Sequence, residues 1–237
     1  MLDKSEIHKM SVKNQTSELN IAREYCQHVF LSNFYKKNPQ IFFKGGTALR
    51  IIFNSSRFSE DLDFSSQLNM SKIEQHVENA LDNSAHEGFD VGILEAKSTS
   101  GGYLSIVNYK FLDYIIEISL QISQRKTALN SDLHVISNSY ISNYTLLVLQ
   151  QDDLVNEKIM AAIERRKPRD FYDIYFMLRA RLITPEQRKL LSEVLKSFNV
   201  SDIDISKELK IFLPQSLHSI VGNFDEVFRA ELKRFIE

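Results

Sequence analysis

The sequence predicts an α+β fold, with a β-sheet and flanking helices followed by a C-terminal helical bundle. Short runs with strand character dominate residues 40–150. From Asp152 to the end, apolar residues recur at helical spacing instead. We therefore expect a sheet-containing domain with an N-terminal helix, residues 1–150, and an α-helical domain, residues 151–237. Because no flexible linker separates them, we expect the second domain to pack against the first.

The same periodicities predict the individual elements. Helical spacing covers residues 5–37 and predicts the N-terminal helix. Strands are predicted at 40–44, 61–65, 89–97, 103–111, 114–122, 133–136 and 144–149, and helices at 48–54 and 71–87. In the C-terminal part, helices are predicted at 152–166, from Arg169 onward, at 185–198, at 205–220 and at 224–236. Thr184 before Pro185 is a strong helix start, since proline suits the first helical position.

Composition limits the class of protein. The chain has 237 residues, 43% hydrophobic and 25% charged, which is typical of a soluble globular protein. It contains no apolar run long enough for a membrane span, and its N-terminus lacks an apolar signal core. Cys26 is the single cysteine, which excludes intrachain disulfides and thiolate metal clusters. We expect a cytoplasmic monomer without membrane contact. The net charge of −2 argues against non-specific coating of nucleic acid.

The most informative stretch is Lys44–Phe64, KGGTALRIIFNSSRFSEDLDF. Asp61 and Asp63 alternate with Leu62 and Phe64, so on a strand both carboxylates share one face and the apolar side chains enter the core. Two adjacent carboxylates repel unless a cation or a proton lies between them. Hard cations such as Mg²⁺ or Mn²⁺ prefer oxygen ligands of this kind. The pair therefore predicts a site for a divalent metal.

Gly45, Gly46 and Thr47 predict a turn ahead of the short apolar helix. Backbone N–H groups at such a turn and the positive helix end together suit a phosphate. Metal-binding carboxylates beside a phosphate cradle indicate a site for a nucleoside triphosphate. Simpler interpretations are a tight strand-to-helix turn for the glycines, a helix cap for Thr47 and a solvent-exposed strand end for Lys44.

Glu117 is the candidate for a third metal-binding acid. It lies among apolar residues in the predicted strand 114–122, where an unpaired acid is costly. If this strand neighbours Asp61–Phe64, its carboxylate could complete a triad. The alternative is a solvent-facing position shared with Ser119 and Gln121.

Taken together, these motifs resemble the DNA polymerase β-like nucleotidyltransferase superfamily. Lys44–Leu49 with Arg57–Phe64 is similar to the AbiEii/AbiGii toxin family. A second signature resembles that family too, because Asn156–Lys158 and then Lys167–Tyr175 supply a helical lysine and a downstream Arg-Asp-x-x-Asp motif. The resemblance covers about residues 40–180 and implies a nucleotidyltransferase-type mixed sheet.

The resemblance also implies roles for individual residues. Those implied in catalysis are Asp61, Asp63, Lys158 and Asp170. Those implied or considered in nucleotide binding are Lys44, Gly45, Gly46, Thr47, Ser59 and Arg169. The metal ligands implied by the resemblance are Asp61 and Asp63. Glu117 is added to them because of its position in the apolar predicted strand 114–122. Asp173 belongs to the second signature, and the resemblance assigns it no definite role. Other interpretations are a surface position for Lys158, helix-dipole charges for Asp170 and Asp173, and pairing of Arg57 with Glu60 or Asp61.

The function implied by the resemblance is that of a toxin from a bacterial toxin–antitoxin or phage abortive-infection system. Such an enzyme would transfer NMP from an NTP to RNA, with the tRNA 3′ end as the specific expectation, and release pyrophosphate. Its partner would be a separately encoded antitoxin. Residues 158–181 carry seven Lys or Arg against three acids, 7 − 3 = +4, which suits an RNA backbone or a solvated helix face. Alternatives are transfer to protein or small-molecule hydroxyls, and a non-catalytic nucleotide-binding module.

Overall fold

The computed structural model describes residues 1–37, 39–125, 127, 129–198 and 205–236, and the chain groups into two units. The first unit comprises Met1–Asn54 and Phe58–Leu149, and the second comprises Ser55–Arg57 and Gln150–Glu237. The strands are β1 Ile41–Lys44, β2 Leu62–Ser66, β3 Asp90–Thr99, β4 Gly102–Phe111, β5 Tyr114–Gln124, β6 Ser131–Ile136 and β7 Tyr144–Leu149. All seven belong to the first unit.

These strands form one mixed sheet in the order β3-β4-β5-β2-β1-β7-β6. β2 pairs with β5 and β1 pairs with β7 in parallel, whereas the other neighbours are antiparallel. The two parallel pairings flank the short central strands β1 and β2. The predicted α+β class with a mixed sheet is therefore confirmed.

Helices of the first unit cover this sheet. They are α1 Lys4–Asn14, α2 Glu18–Phe34, α3 Gly45–Phe53 and α4 Met70–His86. α2 packs against β5, β7 and α4, and α3 packs against β1 and β2. Phe34 from α2 and Phe43 from β1 both contact Phe64 of β2, with ring centroids 5.3 and 5.5 Å away. These fully buried rings fix the two central strands in the core.

The N-terminal helical pattern is divided in two, which the periodicity did not reveal. Gln15 caps the end of α1 with its backbone in the left-handed conformation, and Ser17 is the N-cap of α2, where its hydroxyl accepts a hydrogen bond from the Asn20 N–H. A left-handed residue followed by an N-cap ends one helix and starts another. The strands lie within a few residues of their predicted bounds.

The second unit contains seven helices among the described residues. They are α5 Gln151–Glu164, α6 Pro168–Arg179, α7 Pro185–Arg188, α8 Leu191–Ser197, α9 Ile205–Lys210, α10 His218–Gly222 and α11 Phe224–Ile236. Its core joins four aromatic rings, with centroid separations from 4.8 to 6.2 Å, contributed by Phe171, Phe198, Phe224 and Phe228. Thr184 forms a capping box with Gln187 as expected, but the predicted helix 185–198 is interrupted between α7 and α8. No helix in the described part of the chain is long and apolar enough to cross a membrane.

A close contact joins the start of α3 to the neighbouring strand. Gly45 has a φ of +82°, a conformation that side chains disfavour. A Cβ atom at this position would lie 2.1 Å from Oδ2 of Asp63 and 2.7 Å from its Cβ. Only glycine therefore allows the chain to turn from β1 into α3 directly under the Asp63 side chain.

Polar groups are buried inside the first unit as well. Glu24 of α2 accepts hydrogen bonds from Arg50 Nε at 2.7 Å and from the Tyr140 hydroxyl at 2.5 Å. His28, 4% exposed, forms a hydrogen bond with the Tyr144 hydroxyl at 2.8 Å. Burial lowers the pKa of His28 to about 4, with Glu24 acting to raise it and Arg50 to lower it. His28 is therefore neutral in the folded protein at neutral pH.

Replacing Gly45 by alanine should destabilise the protein by at least about 1–3 kcal/mol, since the new methyl group combines backbone strain with a clash. Gly101→Ala is the matched control, because nothing lies within 4 Å of a Cβ there. Urea unfolding measures both free energies of unfolding. Equal stability of the two variants would contradict the close packing of Gly45 against Asp63.

Acidification should destabilise the fold through His28. Its pKa is about 4 when folded against an ordinary value of 6.5, so between these values the unfolded chain binds the extra proton. Stability from this group is present above pH 6.5 and is lost as the pH falls toward 4, by up to about 3 kcal/mol. His28→Gln should flatten the dependence of the unfolding free energy on pH in this window. The exposed control His86→Gln should retain the wild-type slope; an unchanged slope in His28→Gln would rule out this residue as the cause.

Candidate functional site

The two aspartates lie at the start of β2. Asp63 is inside the strand, Asp61 directly precedes it, and both are half-buried. Leu62 and Phe64, which alternate with them, are completely buried. The strand register places buried Lys44 of β1 directly opposite Asp63, so these two side chains project from the same face of the sheet.

The glycine motif forms the first turn of α3 itself, whereas the sequence predicted a separate turn before a helix starting at Ala48. The helix starts earlier because Gly45 turns the chain immediately after β1. Lys44 stands at the N-cap without a side-chain cap hydrogen bond. The Thr47 hydroxyl does not cap the helix either; it donates to the backbone carbonyl of Asp61 at 2.5 Å. The start of α3 thus presents backbone N–H groups beside Asp63.

Residues that sequence reasoning missed support the loop before Asp61. Gln27 of α2 is buried, and its side-chain amide donates to the carbonyls of Ser59 and Glu60, both at 3.0 Å. Arg23 pairs with the Glu60 carboxylate at 3.4 Å. Together with Thr47, these side chains hold the backbone of the loop that carries half-buried Ser59 and Asp61. The sequence feature that could have identified Arg23 and Gln27 is the occurrence of polar side chains among the apolar residues of α2.

Glu117 lies on the neighbouring strand but away from Asp63. β5 does pair with β2, in the parallel register that sets Gln121 opposite Asp63. Glu117 comes four residues earlier on β5, about 13 Å along the strand, and its side chain is exposed. The structure therefore does not bring Glu117 together with Asp63. Within the described residues, no group of three or more His, Cys, Asp or Glu side chains is arranged to hold a metal ion.

In the second unit, Lys158 of α5 and Arg57 converge on Asp173 of α6. Arg57 donates to both carboxylate oxygens, from Nε at 2.9 Å and from Nη2 at 3.0 Å, and Lys158 Nζ donates at 2.7 Å. All three side chains are buried. Arg57 therefore pairs with Asp173, a partner that the sequence reasoning did not consider. Lys158 is not a surface lysine, since its side chain is 11% exposed.

Burial acts to raise the pKa of the Asp173 carboxyl, but Arg57 and Lys158 outweigh it and hold this pKa below its usual range. Burial acts to lower the pKa of Arg57, while Asp173 and then Asp170 act to raise it, and the net direction is upward. Asp173 is thus ionised at neutral pH. The cluster consists of charged groups, and its charges must be balanced locally or by a ligand.

Asp170 and Arg169 lie in the first turn of α6. Asp170 is 1% exposed and accepts a hydrogen bond from Arg165 Nη2 at 2.9 Å on one oxygen. Its other oxygen, Oδ2, is buried without a hydrogen-bond partner among the described residues. Half-buried Arg169 forms no ion pair with the described part of the chain. A buried acceptor and an unpaired guanidinium are both suited to a polar ligand.

Comparison with known structures shows the fold. The chain is similar to MenT4, a nucleotidyltransferase toxin from Mycobacterium tuberculosis, with a TM-score of 0.69 and 18% identity over 100% of this chain and 94% of that one. It is also similar to JHP933 from Helicobacter pylori, with a TM-score of 0.62 and 21% identity over 93% of this chain and 94% of that one. A search of curated proteins gives no match.

Membership of a family rests on the sequence profile. The profile described as nucleotidyl transferase AbiEii toxin of type IV toxin–antitoxin systems matches residues 29–237. This range includes both aspartates, the glycine motif and the Lys158 cluster. The chain belongs to the AbiEii family of nucleotidyltransferase toxins from type IV toxin–antitoxin systems.

Proposed function

We propose that this toxin transfers a nucleoside monophosphate from an NTP to an RNA acceptor, with the tRNA 3′ end as the specific candidate, and releases pyrophosphate. One observation carries the proposal: Asp63 packs directly over Gly45 at the start of α3, with Asp61 two residues before it. Carboxylates beside backbone N–H groups at a helix start combine the parts that metal-bound phosphates require.

The carboxylates of Asp61 and Asp63 fit a metal ion that binds together with its nucleotide. Mg²⁺ is commonly bound through one or two protein carboxylates together with substrate phosphates and water. Asp61 and Asp63 supply two half-buried carboxylates, which matches this mode without a third acid. Bound Mg²⁺ or Mn²⁺ would supply Lewis-acid stabilisation of charge at the α-phosphate and a lower pKa of the attacking hydroxyl.

The protein groups would act by positioning and charge balance. N–H groups of Gly45 and Gly46 would donate to phosphate oxygens at the start of α3. Lys44, on the same face as Asp63, would offset negative charge on the triphosphate. For Lys158 and Arg169 the proposal keeps the roles that the family resemblance implies, in catalysis and in nucleotide binding. No side chain is required as a nucleophile, because the acceptor hydroxyl attacks the α-phosphorus and pyrophosphate leaves.

The case for RNA rests on the surface of the second unit. Of the charged residues in 158–181, the exposed ones are Arg165, Arg166, Lys167, Arg179, Arg181 and Glu164, an exposed balance of 5 − 1 = +4. Asp173 is paired with buried cations, whereas Asp170 pairs with exposed Arg165 and offsets one of these surface charges. Such a surface suits a phosphate backbone. A separately encoded antitoxin is the further partner that this family implies.

Asp63→Asn should lower nucleotide transfer by roughly 10³-fold, because metal-dependent charge stabilisation is worth several kcal/mol. Purified protein is incubated with Mg²⁺, each α-³²P-labelled NTP and total tRNA, and label in RNA is counted. Asp113→Asn is the control, since this aspartate is exposed and pairs only with exposed Lys4 among the described residues. Label in protein but not in RNA would refute the RNA acceptor, and binding without transfer would indicate a nucleotide-binding module. Full transfer by Asp63→Asn would refute the metal assignment.

A further inference from the structure

A polar cavity of about 310 Å³ lies in the first unit, apart from the acid pair. Its walls are formed by α2, the second half of α3 and the β6–β7 hairpin. Its part of α3 runs from Arg50 to Asn54, which begins roughly 8 Å along the helix from Gly45. Neither the two aspartates nor the glycine motif is among the described residues that line it. Its volume falls at the lower end of the range of small-molecule sites.

The charged side chains at this cavity balance each other. Arg50 and Glu24 are the only Asp, Glu, Lys or Arg side chains among the described residues that line it. Arg50 Nε donates to Oε1 of Glu24 at 2.7 Å and Nη2 donates to Oε2 at 3.3 Å, and the Tyr140 hydroxyl donates to the same Oε2. This bidentate pair leaves no net charge for a phosphate or a metal ion to offset. A neutral occupant is therefore favoured.

Asn138 leaves a hydrogen-bond donor for such an occupant. Its Oδ1 accepts from the backbone N–H groups of Tyr140 and Ile141, at 2.8 and 2.9 Å. An amide nitrogen cannot accept, so these two bonds fix which end of the side chain is the oxygen. Nδ2 at the other end is buried and has no hydrogen-bond partner among the described residues. Because an unsatisfied buried donor is costly, Nδ2 requires an acceptor, which a molecule in the cavity that Asn138 lines would supply.

His28 lines the same cavity and supplies a second donor. Its Nδ1 forms a hydrogen bond with the Tyr144 hydroxyl, and Tyr144 has no other side-chain hydrogen bond among the described residues. The hydroxyl therefore donates its proton to Nδ1, and the proton of the neutral imidazole lies on Nε2. Nε2 forms no hydrogen bond with the described part of the chain. Stacking on Tyr140, with ring centroids 5.2 Å apart, holds the imidazole in this orientation.

We propose that this cavity binds a nucleobase, with Nδ2 of Asn138 and Nε2 of His28 donating to acceptors on its edge. Nucleobases are neutral, carry ring nitrogens and carbonyl oxygens side by side, and fit a cavity of this size. The choice of a nucleobase among neutral acceptors rests on the proposed function, in which NTP and RNA are both present. A free nucleoside and an unstacked RNA base offer the same edge to the two donors.

Equilibrium dialysis with ³H-labelled adenosine, guanosine, cytidine and uridine tests the site, because nucleosides lack the phosphates that the acid end of the sheet would bind. We expect at least one of them to bind the wild type with a dissociation constant below about 1 mM. Asn138→Asp keeps the acceptor for the N–H groups of Tyr140 and Ile141 but replaces the donor by a carboxylate oxygen. It should weaken binding by at least about tenfold. No nucleoside binding by the wild type, or equal dissociation constants in wild type and Asn138→Asp, would overturn the proposal.

A second variant covers a failure of Asn138→Asp to fold. His28→Phe keeps a ring that stacks on Tyr140 and removes the Nε2 donor, so it should also weaken binding by about tenfold. Urea unfolding confirms the folded state of each variant. The matched control is Asn130→Asp, which introduces the same charge at an exposed position outside the lining and should leave the dissociation constant unchanged. Wild-type affinity in a folded His28→Phe protein would also overturn the proposal.

Transfer assays identify the source of the base and separate this proposal from the proposed function. With α-³²P-labelled NTP and total tRNA, a nucleoside that raises the KM for tRNA competes with an RNA base, whereas one that changes kcat alone acts as a free ligand. If the wild type transfers no label to RNA, the proposed function fails, while nucleoside binding that is weakened in Asn138→Asp still supports this site. Transfer without nucleoside binding would leave the function standing and refute the site. Nucleoside binding that is lost in Asp63→Asn would place the base at the acid pair and also refute it.

Discussion

Packing of the Asp63 carboxylate against Gly45 is the constraint on which the acidic end of the sheet depends. The antiparallel register of β1 and β2 sets Lys44 opposite Asp63, and the next residue must turn the chain into α3 within van der Waals distance of that aspartate. Glycine satisfies this requirement because it has no Cβ and tolerates a positive φ. One local geometry thus brings together a carboxylate, a lysine and the start of a helix.

The same end of the sheet is held by side chains that have no chemical role in the proposed reaction. Gln27 and Thr47 donate hydrogen bonds to the carbonyls of Ser59, Glu60 and Asp61, which is the chain segment leading into the acid pair. Precise placement of reacting groups requires such support, because small displacements are costly in catalysis. Mutations in α2 can therefore affect the acids without altering them directly.

The second unit holds a cluster of buried charged side chains on and beside α5 and α6. Asp173 lies between Arg57 and Lys158 and remains ionised because both cations offset its burial. Removing any one partner would leave an unbalanced buried charge and would therefore destabilise the fold.

The sequence by itself determined the α+β class, the alternation of Asp61 and Asp63 with the buried residues Leu62 and Phe64, and the family. These properties follow from local periodicity and from motifs a few residues long. Only the tertiary structure decided that Gln121, and not Glu117, lies opposite Asp63, and that Arg57 pairs with Asp173, 116 positions away in the chain. Strand register and long-range ion pairs depend on which distant segments pack together, and alternation along one strand carries no information about that choice.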